Sequence, residues 1–107
     1  MAMLHITKEN YQELVEQSAQ PVLLEFWAPW CTYCRRIAGV VAKLPEAYAG
    51  RAAVAQVNID EQPELAQRFS VDTIPSLILV KNGAAGEKLV APGSKADIDA
   101  WMQAQSV

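Results

Sequence analysis

The chain has 107 residues, 51% hydrophobic and 20% charged, which fits one packed domain over residues 1–107 and excludes a disordered chain. Nine basic against twelve acidic side chains give a formal charge of -3, the wrong sign for a general nucleic-acid binder. No apolar run approaches the roughly 20 residues that span a bilayer, and the opening MAMLHITKEN lacks the basic and apolar regions of a signal peptide. These features lead to the expectation of a cytoplasmic protein that contacts neither membrane nor nucleic acid.

Leu4-His5-Ile6 reads as a short edge strand, with His5 as an ordinary surface histidine. Thr7 then reads as the N-cap of a helix whose apolar stripe is Tyr11, Leu14, Val15 and Ser18, with Glu9 in the first turn. Gln20-Pro21 breaks the chain. Val22 to Trp27 follows as a strand apolar on both faces, the pattern of a central strand covered on both sides. Glu25 is the one polar residue in that strand.

From Cys31 to about Tyr48 the period becomes helical, with Cys34, Ile37, Ala38, Val41, Leu44 and Tyr48 on one stripe. Arg35, Arg36 and Lys43 fall off the stripe, on a solvated face, and Gly39 weakens this helix. Ala53–Ile59 reads as a strand. Asp60 is placed to cap a short helix through Glu64–Phe69, with Pro63 in its first turn. Ser76–Val80 is the next strand, Asn82-Gly83 a turn, and Glu87–Val90 an antiparallel return. Ser94 with Asp97 resembles a capping box, opening a last helix marked by Ile98, Trp101, Met102 and Gln105. The order β-α-β-α-β-α-β-β-α gives parallel crossovers, one hairpin and a mixed α/β sheet with helices on both faces.

The two cysteines, Cys31 and Cys34, form a single C-x-x-C. A disulfide-stapled secreted domain carries more cysteines, and a four-ligand zinc site needs more donors than these and the distant His5. Cys31 falls where a buried strand gives way to a helix. There free backbone N–H groups and the helix dipole favour an anion, and a thiol pKa of about 8.5 commonly drops to about 7 or below. Cys34, one turn on and within the apolar stripe, is expected to be buried and protonated. An exposed thiolate beside a shielded thiol is the division of labour that dithiol–disulfide exchange requires.

Four segments carry a resemblance to the thioredoxin family over nearly the whole chain. They are Phe26-Trp27-Ala28-Pro29-Trp30-Cys31 through Cys34, Val57-Asn58-Ile59-Asp60, Ile74-Pro75-Ser76, and Lys81-Asn82-Gly83. The resemblance implies a five-stranded mixed sheet in order 1-3-2-4-5 with four helices. It implies that Glu25 stands for the family's buried acid behind the second cysteine, and that Pro75 is a cis-proline facing the disulfide. Trp30, Thr32, Tyr33, Ile74 and Pro75 become the expected substrate-binding residues. There are departures. Thr32-Tyr33 replaces the usual Gly-Pro, and Tyr33 is what many glutaredoxins carry there. Gln56 replaces a common Lys near the acid, Gly39 a helix-kinking Pro, and Ala91 a usual Gly. Ala91-Pro92-Gly93-Ser94 lacks the paired glycines of a glutathione-using glutaredoxin.

The reading is a monomeric protein-disulfide reductase. Cys31 attacks, Cys34 resolves, and Glu25 accepts the Cys34 proton. No bound cofactor or metal is expected. The implied partners are disulfide-bearing proteins and, as electron donor, a flavin-dependent thioredoxin reductase using NADPH. The rivals are an oxidase or isomerase, a glutaredoxin-like activity, and a non-catalytic binding module that grips partners around Trp30, Ile74 and Pro75.

Overall fold

The computed structural model describes residues 2–107. Strand β2, Val22–Trp27, lies at the centre of a five-stranded sheet ordered β1-β3-β2-β4-β5. It pairs parallel with β3, Ala53–Asn58, and antiparallel with β4, Ser76–Lys81. The short β1, Leu4–His5, flanks β3, and β5, Ala84–Val90, flanks β4. This is the mixed sheet and strand order that the sequence led us to expect.

Side-chain alternation divides the core into two layers. Val22, Leu24 and Phe26 face Tyr11, Val15 and Leu65, whereas Leu23 faces Val41, Leu44, Ile98 and Met102. One layer is thus covered by the first helical segment and α3, Pro63–Arg68; the other by α2, Ala38–Ala47, and α4, Lys95–Ala104. Each fully buried Leu or Phe contributes roughly 2 kcal/mol of transfer free energy, so β2 is the strand that fixes the register of its neighbours. The Tyr48 hydroxyl, donating to Asp99 Oδ1 at 2.6 Å, ties the end of α2 to α4. Among the described residues no helix is long and apolar enough to cross a membrane.

Five local expectations need correction. The stripe after Thr7 was expected to be an α-helix. Thr7 closes the turn before it, its hydroxyl accepting the Asn10 N–H at 3.3 Å while Asn10 Oδ1 accepts the Thr7 N–H at 2.8 Å, but the N-cap of the helix is Tyr11, without a side-chain bond. Gln12–Glu16, however, winds as a π-helix, with Gln17 N–H bonded five residues back to Gln12 O at 2.9 Å. Tyr11 and Val15 are buried on the same layer, so apolar spacing alone does not distinguish the two windings.

The helix expected from Cys31 to Tyr48 is divided at Ile37 (φ -96°, ψ 3°) into α1, Thr32–Arg36, and α2. The winding gives way beside Gly39, a poor helix former, although Val41 N–H still bonds Ile37 O at 3.0 Å. Asp60 is not a helix cap. The N-cap of α3 is Gln62, without a side-chain bond, and Pro63 supplies the first turn. In the last helix Ser94 Oγ accepts the Asp97 N–H at 3.2 Å as expected, but the Asp97 carboxylate takes the Gly93 N–H rather than closing the box on Ser94.

Strand β5 starts at Ala84, three residues before the expected Glu87, directly after the hairpin turn. Asn82 and Gly83 both have positive φ, 50° and 80°, the conformation whose twist matches the flanking strands.

Candidate active site

Strand β2 runs out at Trp27, and the chain turns through Ala28, Pro29 and Trp30. Cys31 N–H bonds Ala28 O at 3.1 Å, and extended backbone at Cys31 makes it the N-cap of α1. Its sulfur takes the place of a capping oxygen, accepting the Cys34 N–H at 3.1 Å. An N–H donor at this position favours negative charge on the sulfur it meets. Because α1 has only five residues, this direct bond matters more than a long-helix dipole.

Cys31 and Cys34 are joined as a disulfide, Cα atoms 5.2 Å apart. The expected contrast in exposure is corrected in this oxidised form: Cys31 is 7% and Cys34 4% exposed. Ala28 shares their cluster, with Trp27, Tyr33, Ile59 and Ile74 packed against it, so both sulfurs are covered. The asymmetry lies in position instead, one sulfur at the helix start and the other within the helix.

Glu25 is 3% exposed, in a strand otherwise apolar on both faces. It shares the sheet face of Leu23 and Trp27, and Trp27 packs on the cysteine cluster. Burial pushes its pKa from 4.5 up to about 7, opposed by the Gln56 amide, which donates to Glu25 Oε1 at 2.9 Å. Gln56 is its register partner on β3. A carboxyl near pH 7 that sits between the two protonation states is suited to receive and return a proton.

The opposite wall is Ile74-Pro75, joined by a cis peptide bond. The Ile74 carbonyl oxygen lies 3.8 Å from Cys31 Sγ. Pro75 is buried and Ile74 half-buried, so the apolar surface open to a partner comes chiefly from Trp30, 62% exposed, and from Val90, 46% exposed. Val90 pairs with Ser76, next to Pro75, and escaped sequence reading because β-strand periodicity does not show which end of a strand meets the site.

Thr32 is exposed at the start of α1, and Arg35 and Arg36 lie on a solvated face as expected; His5 is exposed on β1. Tyr33 reaches the other way. Its hydroxyl lies 3.1 Å from both the Ala91 and Pro92 carbonyl oxygens. Ala91 adopts φ 48°, a left-handed conformation that costs a non-glycine residue roughly 1–2 kcal/mol.

Asp60 was missed as a site residue because its contact is tertiary. The exposed Trp30 indole N–H donates to both its carboxylate oxygens, at 3.1 and 3.0 Å. Asp60→Ala should free the Trp30 ring, seen as lower fluorescence anisotropy at that ring in a Trp27→Phe, Trp101→Phe background. The denaturant midpoint should report a loss of no more than about 1 kcal/mol, since the bond is exposed.

A sequence model of the family described as Thioredoxin matches residues 2–104. The chain is 38% identical over 101 residues to a thioredoxin of Alicyclobacillus acidocaldarius, covering 94% of this chain and 95% of that one. It is 36% identical over 104 residues to a thioredoxin of Acidithiobacillus ferridurans, covering 97% and 96%. With a thioredoxin of Haemophilus influenzae it shares 40% over 81 residues, 76% of each chain. With the fold, the Cys31–Cys34 disulfide and these likenesses together, the chain belongs to the thioredoxin family of protein-disulfide reductases, and its activity is thiol–disulfide exchange.

Proposed function

We propose that this single domain, residues 1–107, is a cytoplasmic, monomeric electron carrier that reduces protein disulfides. In the reduced form the Cys31 thiolate attacks one sulfur of a substrate disulfide. The substrate's other sulfur leaves as a thiolate, and a mixed disulfide remains. Glu25 takes the Cys34 proton, through water. Cys34 then attacks Cys31 Sγ, the second substrate thiolate leaves, and the pair closes to the Cys31–Cys34 disulfide, having given up the two electrons that the substrate has gained. Trp30, Thr32, Tyr33, Ile74 and Pro75 border the docking face. No group bound to the protein is needed, and a flavin-dependent reductase drawing on NADPH restores the dithiol.

The observation that carries this reading is the Cys31 sulfur, which accepts the Cys34 N–H on one side and faces the Ile74 carbonyl beside an exposed Trp30 on the other. The test is NADPH consumption with insulin as substrate and a bacterial thioredoxin reductase as donor. Turnover that needs all three components supports the reading; insulin reduction that proceeds with reduced glutathione and never with the reductase overturns the choice of donor.

The dipeptide between the cysteines sets how well the fold holds the reduced thiolate, and natural C-x-x-C proteins span roughly 150 mV. Thr32→Gly combined with Tyr33→Pro is expected to lower the reduction potential, measured against a glutathione buffer. An unchanged or higher value removes the dipeptide as the determinant.

A further inference from the structure

Tyr33 lies between the cysteines in sequence, yet its hydroxyl bonds a loop 58 and 59 residues away. A phenol has one proton, so the Ala91 and Pro92 carbonyls share it. The ring is fixed from below, because Tyr33 packs on the cysteine cluster and on the core layer of α2 and α4. The Arg36 guanidinium stands over it, 5.7 Å from the ring centroid.

Ala91 is held from its other side as well, its N–H donating to Pro75 O at 2.9 Å. Pro75 follows Ile74, whose carbonyl lies 3.8 Å from Cys31 Sγ. The contacts therefore close a ring: Cys31, Ile74, Pro75, Ala91, Tyr33 and back to the cysteines. Within it the one residue in an unfavoured backbone conformation is Ala91, at φ 48°. Exposed Val90, the last residue of β5 and paired with Ser76, is its immediate chain neighbour, so the Ala91 loop begins at the edge of that exposed apolar face.

Resting on the reading that a substrate chain docks on the face of Trp30, Ile74 and Val90, we propose that Tyr33 is a positioning residue. Its hydroxyl holds the loop at residues 91–92 in the left-handed conformation that an alanine at 91 does not favour, and so keeps that face pre-formed for the polypeptide flanking a target disulfide. A pre-formed loop lowers the ordering cost of docking, which enters KM for a large substrate and matters little for a small disulfide.

The experiment compares wild type, Tyr33→Phe, Ala91→Gly and the double variant, with dithiothreitol as reductant. Insulin and 5,5′-dithiobis(2-nitrobenzoate) are the protein and small disulfides. Tyr33→Phe should raise KM for insulin about five-fold, the scale of one lost hydrogen bond, with the loss falling on KM rather than kcat. The ratio of kcat/KM for insulin to that for the small disulfide should fall by a similar factor. In the Ala91→Gly background the same change should shrink to below about two-fold, because glycine takes the left-handed conformation unaided.

An equal effect of Tyr33→Phe in both backgrounds, or none in either, overturns the proposal. Trp30→Ala separates it from the docking reading. If Trp30→Ala raises KM for insulin and Tyr33→Phe does not, the docking face stands and the role of Tyr33 falls. If neither changes KM for insulin, both fall.

Discussion

Cys31→Ser is expected to abolish protein-disulfide reduction, leaving only the uncatalysed background, whereas Cys34→Ser leaves a protein that attacks once and stays bound to its substrate. The difference follows from where each sulfur stands. Cys31 Sγ accepts the Cys34 N–H and caps α1, a position that favours an anion, which is why it is proposed as the attacking sulfur. A serine hydroxyl at 31 keeps the cap but ionises far less readily and does not form the mixed disulfide. With serine at 34 the mixed disulfide forms and nothing attacks it. The measurements are insulin turnover for Cys31→Ser and, for Cys34→Ser, covalent adducts on non-reducing gels that dithiothreitol releases. In the reduced wild type, alkylation below neutral pH should label Cys31 first. Equal labelling of both cysteines overturns the assignment of attacker and resolver.

Glu25→Leu should make the protein more stable at pH 8 and slower at its chemistry. The folded carboxyl titrates at about 7 instead of 4.5, chiefly because burial disfavours its charge. Between those two values the native state holds more protons than the unfolded state. Stability therefore falls as pH rises through the window, and the loss is complete above about pH 7. A shift of this size corresponds to roughly 3 kcal/mol. Leucine removes the titration, so the variant's stability should stay level where the wild type declines. The gain at pH 8 should be about 1–3 kcal/mol, reduced by any imperfect fit against Leu23 and Trp27. Gln56 loses its acceptor but is half-buried and can turn to water. Resolution of a pre-formed mixed disulfide should slow by about a hundredfold, the lower end of general-base contributions. Denaturant midpoints from pH 5 to 8 and the rate of substrate release test both halves. A variant destabilised at pH 8 that releases substrate at the wild-type rate removes Glu25 from the mechanism.

The strands and the cysteine pair were legible because their signals are local. Val22 to Trp27 is apolar at every position but one, and the structure buries it on both sides; the exception is the residue with the displaced pKa. The hairpin followed from Asn82-Gly83, two residues able to take positive φ. What was not legible depends on contacts across the fold. Asp60 looks like a helix cap until the Trp30 indole is seen against it, and the partners of Tyr33 are nearly sixty residues away. The break at Ile37 and the wide turn at Gln12–Glu16 leave the apolar spacing almost unchanged, so periodicity passes over both. The strand residues Ala84 and Ala85 carry no strand preference of their own and pair because Lys81 and Val80 of β4 offer them bonds.

The outermost strands also govern how the protein behaves when crowded with its own copies. An exposed strand edge is a template on which another chain can add. Here one edge, β1, is only two residues long. The other, β5, is longer, but it carries Glu87 and Lys88 in solvent, and its ladder slips where Ile78 and Val80 meet it. Neither offers a long, flat, apolar row. Behind β5, however, stands Leu77-Ile78-Leu79-Val80, an uninterrupted apolar run of the kind that stacks into fibrils once uncovered. β5 thus covers the open edge of that run, and local peeling of this one strand would expose it without global unfolding.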